Sequence, residues 1–314
     1  MKKLHLSLFS ALQATAKVAP TFCILLFACC FLPGTLFAQK RIDTQTEIFT
    51  KDFTVNAKDI VKVNANFTKV IFQEWDKNEI EFTTTVKLKR ATEKDMERLL
   101  NGISITYSQS GKKTNYKIKL SNNLKINNYE ITLLVKMPKD IFIDIESSFS
   151  NVEAHDIFND FNANMSFGNL QIENLHGKKN TINIKHGKIK IGQVTHIEGK
   201  AEFSTINIRS LKYSCVFTNF SFSKITIDEV LKSFTNIVFS TSHSTINLNI
   251  PQDQSFTLDY SGSFTKFKDQ DMKMKPTIFE AGNNSLRMSG FYGSNHDSGR
   301  TVKIQASFGS VSLF

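Results

Sequence analysis

The residues of this chain whose types could carry chemistry are few and scattered. His155, His176, His186, His196, His243 and His296 could ligate a metal or move protons. No two have the spacing of a zinc site, and Cys215 is the one cysteine beyond the first thirty residues, so no metal site is expected. Asp140 and Asp144 stand four apart, which places both on one face of a strand. Such a pair could work as acid and base on a glycosidic bond, but acids at a strand end are ordinarily just solvated. Cys215 lies in the apolar stretch Cys215-Val216-Phe217 and reads as a small core hydrophobe rather than a nucleophile. No Gly-x-Ser-x-Gly, P-loop or dinucleotide fingerprint occurs. No catalytic residue, cofactor-binding residue, metal ligand or cofactor is therefore assigned, and the chain reads as a non-enzyme.

What must position any site is a six-residue pattern that returns eight times. It starts at Phe149, Phe167, His186, Phe203, Phe222, His243, Phe264 and Phe308. The next residue is always Gly, Ser or Thr; polar and apolar residues then alternate, as in Gly168-Asn169-Leu170-Gln171-Ile172. The first positions are spaced 18, 19, 17, 19, 21, 21 and 44 residues apart, the last close to two periods. Alternation with period two is a strand with one buried face, and self-similarity near 20 residues is a solenoid. Each unit is expected to run strand, corner at the small residue, strand and looser return. The first positions are expected to form a buried aromatic stack, with His186 and His243 as members of it and not as ligands. A leucine-rich repeat would show Leu and Asn at fixed offsets and a helical return, and neither appears. The outward column Asp156, Asn174, Gln193, Ser210, Glu229, Ile250 repeats no carboxylate pair, unlike a polysaccharide-cleaving β-helix.

Residues 1–38 read as a secretory signal peptide. Lys2 and Lys3 precede an apolar run from Phe22 to Leu32, and Leu36-Phe37-Ala38 offers cleavage before Gln39. A lipoprotein start at Cys29 is the rival. The leader holds three lysines and no acid, which leaves the mature chain at +7 of the total +10. Lys188, Lys190, Lys224 and Lys266 read as solubilising residues on strand faces, with weak attraction to anionic polysaccharide or lipid headgroups as the functional rival. Nucleic acid is not expected as a partner, because the basic residues do not cluster with interleaved aromatics.

Residues 39–139 are expected to be a mostly β region. Strands are expected at Ile48–Val55, Ile60–Ala65, Val70–Gln73, Ile80–Leu88, Ile103–Ser108, Tyr116–Leu120 and Tyr129–Met137. One helix is expected from Thr92, an N-cap candidate, to Leu100, with Gly102 stopping it. Repeats fill residues 140–314, with a hairpin or irregular excursion at 269–300 and a terminal strand from Gly299.

These residues resemble a known family. Phe67-Thr68-Lys69-Val70-Ile71-Phe72, Trp75-Asp76-Lys77-Asn78-Glu79-Ile80, the Met137-Pro138 strand end and the closing Ser307-Phe308-Gly309-Ser310-Val311-Ser312-Leu313 are similar to bacterial "putative adhesin" proteins of unknown function. Those are exported β-strand-repeat proteins common in Bacteroidetes, whose usual repeat is Gly-x-Val-x-Val. The resemblance spans about Phe49 to Phe314 and supplies no catalytic residues. It implies an exported, adhesin-like β-solenoid of the cell envelope, in the periplasm, on the outer membrane surface or outside the cell. Its partners would be a glycan or another envelope protein, with peripheral membrane or cell-surface association. Family members are often encoded near envelope-stress sigma and anti-sigma factors, so a signalling partner is the second reading. A polysaccharide-active enzyme is the third.

Overall fold

The computed structural model describes residues 42–269, 274–294 and 299–314. The expected leader, its cleavage after Ala38, Cys29 and His296 lie outside these residues. Among these described residues the fold is all-β with one helix: 21 strands join in one hydrogen-bonded sheet.

Each repeat contributes one strand before its corner and one after it. Phe161–Ser166, Phe167 and Asn169–Leu175 are one such unit. Strands before the corner pair in parallel across repeats, Ala163 with Ile145 on one side and Ile182 on the other. Strands after the corner do the same, Leu170 lying between Val152 and Ile189. Equivalent residues therefore stack. The column Val152, Leu170, Ile189, Ile206, Ile225, Ile246 and Val311 is at most 1% exposed, and its β-branched members suit a pleated, buried surface. Stacking is the only way such a unit buries its apolar face.

The corner differs from the expectation. The first-position residue, not the small one, makes the turn: Phe149, Phe167, His186, Phe203, Phe222, His243, Phe264 and Phe308 all take φ between +49° and +55°. That left-handed conformation breaks the pleat and throws the side chain outward, so His186 and His243 stand exposed instead of buried. The small residue faces inward, in phase with the two apolar positions after it. Ser150, Ser204, Ser223 and Ser244 are at most 7% exposed. A Cβ on Gly168 would lie 2.0 Å from the Ser150 carbonyl oxygen, so the inside of the corner has no room for a ring. The serines also complete the corner's hydrogen bonds. Ser204 Oγ donates to the Glu202 carbonyl at 2.7 Å and accepts from the Gly187 N–H at 3.2 Å. Ser223 repeats this arrangement with the Ser221 carbonyl and the Ser204 N–H.

Order in space departs from order in sequence at the C-terminus. Strand Thr301–Leu313 pairs with Asn236–Ser242 and Thr245–Leu248 on one side and with Phe256–Asp269 on the other. The last strand is thus the penultimate layer. The excursion between these strands forms the antiparallel pair Lys275–Ala281 and Ser285–Tyr292, which closes that end against Phe256–Asp269. Pro276 sits in its outer strand, where no ladder N–H is needed. At the other end, Ile103–Ser110 with Lys113–Leu120, and Ile42–Thr54 with Glu79–Ala91 and Tyr129–Met137, cap the stack in the same antiparallel manner. The helix Glu93–Asn101 starts at a capping box, in which Thr92 and Asp95 bond each other's backbone, and packs Met96 and Leu99 inward.

Urea denaturation should rank the corner and column positions. Ile206→Asp buries an unpaired carboxylate and should cost more than about 3 kcal/mol. Gly168→Ala, with backbone in its way, should cost about 2 kcal/mol, and Ser204→Ala about 1 kcal/mol for its lost hydrogen bonds. Lys188→Asp, on the outer face, should stay within about 0.5 kcal/mol. Tolerance of Ile206→Asp would invert this assignment of inside and outside.

Candidate binding surface

The outward corners form a ladder of nine rings. In spatial order they are Phe67, Phe149, Phe167, His186, Phe203, Phe222, His243, Phe308 and Phe264. Successive centroids lie 4.7–5.0 Å apart and ring planes tilt by 2–13°. At the inter-strand spacing, eight steps make a ridge about 38 Å long. Its phenylalanines remain 47–55% exposed. A left-handed non-glycine residue costs about 1–2 kcal/mol, and a stacked aromatic pair returns about 0.5–1.5 kcal/mol beyond its buried area. Each interior ring shares two pairs with its neighbours, so stacking roughly offsets the strain of its own corner. Because every interior ring has a ring over each face, the ridge presents ring edges to solvent. Only Phe67 and Phe264 keep a face with no ring over it among the described residues.

Before the corners lies an open polar groove of about 690 Å³. Two columns in parallel register line it. Asn64, Glu146, Asn164, Asn183, Lys200 and Asn219 make one, and Asn66, Ser148, Ser166, Lys185, Glu202 and Ser221 the other. Parallel register puts the groups of one column within bonding reach: Asn183 Nδ2 donates to Asn164 Oδ1 at 2.8 Å and Asn64 Nδ2 to Glu146 Oε2 at 3.1 Å. Lys62 Nζ reaches Glu146 Oε1 at 2.8 Å, and Lys185 pairs with Glu202 at 2.8 Å. The Lys62 hydrogen bond holds the Glu146 carboxyl below its ordinary range, against a smaller opposing effect of burial.

The residues singled out as chemically suggestive are mostly separated. Asp140 lies in the turn ahead of strand Phe142–Ser148, so it shares no strand face with Asp144, correcting the pairing expected from their spacing. Asp144 instead accepts from Asn162 at 2.9 Å and lies 3.6 Å from Lys62. Cys215 is fully buried in the core, and burial pushes its thiol well up, away from thiolate chemistry. Among the described residues no three His, Cys, Asp or Glu side chains converge as a metal site. Two histidines do meet one acid: His155 Nδ1 lies 2.6 Å from Asp156 Oδ2, and His176 Nε2 is 3.5 Å from Asp156 Oδ1. The Asp156 hydrogen bond raises the His155 pKa. Burial works to raise that of Asp156, but bonds from His155 and Asn174 leave it lowered. Nearby Glu74 is raised by burial and then by the charge of Asp156. The ninth ring, Phe67, was legible as the start of Phe67-Thr68-Lys69-Val70, a further copy of the repeat opening that is followed by apolar Ile71 where the others have a polar residue.

No family model and no curated protein matches the chain. Among solved structures it is similar to a "putative adhesin" from Bacteroides fragilis, with 11% identity over 85% of this chain and 97% of that one and a TM-score of 0.44. It is also similar to a "putative adhesin" from Parabacteroides merdae, at 13% identity over 85% and 96% with a TM-score of 0.34. A third is a "putative lipid binding protein" from Parabacteroides distasonis, at 11% identity over 88% and 100% with a TM-score of 0.37. These structures carry the same description, in two of the three cases, as the family the sequence resembles. No helix among the described residues is long and apolar enough to cross a membrane.

Two measurements probe this geometry. Phe203→Gly should be no more destabilising than Phe203→Ala in a urea melt, because glycine removes the left-handed strain along with the ring. A markedly less stable glycine variant would show that the corner stores no such strain. Lys62→Met should move the Glu146 pKa upward, read by carbon NMR across an acid titration. Stability from this lowered carboxyl is present at neutral pH and fades as pH falls through its folded pKa, so the variant should lose less stability than the wild type over that window.

Proposed function

We propose that the stacked repeats form a single-stranded β-solenoid of an exported, non-enzymatic, adhesin-like protein that grips an extended glycan along the polar groove. Residues 39–139 act as its N-terminal region and 140–314 as the repeat body. The observation that carries this reading is the pair of registered columns across six layers, in which eight of the twelve residues are asparagine or serine and the other four are two lysines and two glutamates. Carboxamides both donate and accept, matching the hydroxyls of a polyol, and a repeating polymer suits a repeating lattice of donors and acceptors. The strands beneath the groove already use their backbone groups in parallel ladders. A peptide strand, which binds by backbone pairing at a sheet edge, would find nothing to pair with on this face. Lysines facing the carboxylates leave the groove without a concentrated charge, which favours neutral or weakly charged glycans.

Glycan-array binding of the purified chain tests this reading. At least one class of extended glycan should bind, and replacing Asn164 and Asn183 together by Leu should weaken it at least tenfold with the thermal midpoint kept. An array without binding, or binding indifferent to the double replacement, would remove the groove as the contact surface.

A further inference from the structure

The opposite flank of the ridge has different chemistry. We infer that the ring edges and the lysines beside them dock the protein onto an anionic lipid bilayer. Two and four residues after the corners, on the strands of the other flank, stand Lys188, Lys190, Lys224, Lys266 and Lys268, all exposed. None of the five is in an ion pair among the described residues. The register aligns them: Lys188 faces Thr205, then Lys224, Thr245, Ser310 and Lys266, so three ammonium groups share one column. The one acid in these two columns is Glu153, already answered by Lys69 at 2.9 Å.

Charge and apolar area lie in parallel lines. The lysine line runs along the ridge of half-exposed phenylalanines. Interfacial binding scales with buried apolar area plus attraction to anionic headgroups, and both lines serve it. A ring edge is the positive rim of the aromatic quadrupole, which suits the ester and phosphate oxygens of the interface. A soluble polyanion would satisfy the lysines but would offer no apolar phase for the edges. A second copy of this chain, laid flank to flank, would bring lysine against lysine. This proposal does not depend on the glycan reading, because the groove and the lysine line lie on strands on opposite sides of the corner.

Vesicle co-sedimentation of the purified chain decides it. Vesicles of phosphatidylcholine with about 30% phosphatidylglycerol should carry the protein down, pure phosphatidylcholine should not, and added salt should weaken binding. Each lysine removed should weaken binding about fivefold, so Lys188→Glu, Lys190→Glu and Lys224→Glu together should abolish it. Phe167→Ser, Phe203→Ser and Phe222→Ser together should weaken it at least tenfold with charge unchanged. Should that triple variant fail to fold, Phe203→Trp replaces it: its emission should shift to the blue on anionic vesicles and be quenched by brominated acyl chains, relative to the wild type with Trp75 alone. Absence of sedimentation on anionic vesicles overturns the proposal. So does binding that ignores both the serine replacements and the acyl-chain quencher, an outcome that would identify the lysines as a site for soluble polyanions.

Discussion

The constraint on which the structure depends is one backbone conformation, a non-glycine residue at φ near +50° in every repeat. It lets the chain leave one stack of strands and enter the next while interrupting the pleat by a single residue. That interruption sends the aromatic outward and the following residue inward. The size limit at the second position, the exposure of the rings and the phase of every apolar column follow from it. Glycine would adopt the corner without strain. Phe and His are tolerated there because each ring lies between two others, a compensation that exists only when repeats are stacked.

Inside the corner, satisfaction of the backbone sets the chemistry. A turn between two buried strands risks stranding carbonyl and amide groups away from water. Here the N–H of the corner ring residues from Phe67 to His243 reaches a carbonyl of the following layer, as Phe167 N–H does to Lys185 at 2.9 Å, and serine hydroxyls take up further backbone groups. One position thus takes serine in some layers, for hydrogen bonding, and glycine in others, for close approach. The ends of the stack are closed by antiparallel strands, and the terminal edge carries Pro276, so the parallel ladders are not left open to addition of another chain.

Parallel register also makes a surface out of weak parts. Residues 17–21 positions apart in sequence become neighbours at one strand spacing, so a modest preference at one position becomes a line of amides, rings or lysines. Single exposed asparagines or phenylalanines recognise little, but lines of them match partners that are themselves repetitive or extended, such as a polymer or a membrane plane. The acids are largely spent within the protein: Glu146, Glu202 and Glu153 each face a lysine, which leaves basic character on one flank and near-neutral character in the groove.

The repeat itself, its period and its apolar columns were legible in the chain, because side-chain alternation is a local consequence of strand geometry. The helix was legible from another local signal, since Thr92 and Asp95 cap it from within four residues. Which way the aromatics point was not. An apolar residue three positions before another is consistent with a buried corner or with an exposed left-handed one, and only the crowding between layers, seen at Gly168, decides. Sequence spacing also suggested an Asp140–Asp144 pair that a turn keeps apart. It placed Phe308 two periods beyond Phe264, whereas its strand inserts one layer earlier, between His243 and Phe264. Strand insertion, groove depth and the pairing of each carboxylate are set by contacts between residues far apart in the chain. Composition and period therefore determine the unit, and tertiary packing alone determines which of its faces meets solvent and in what order the units stand.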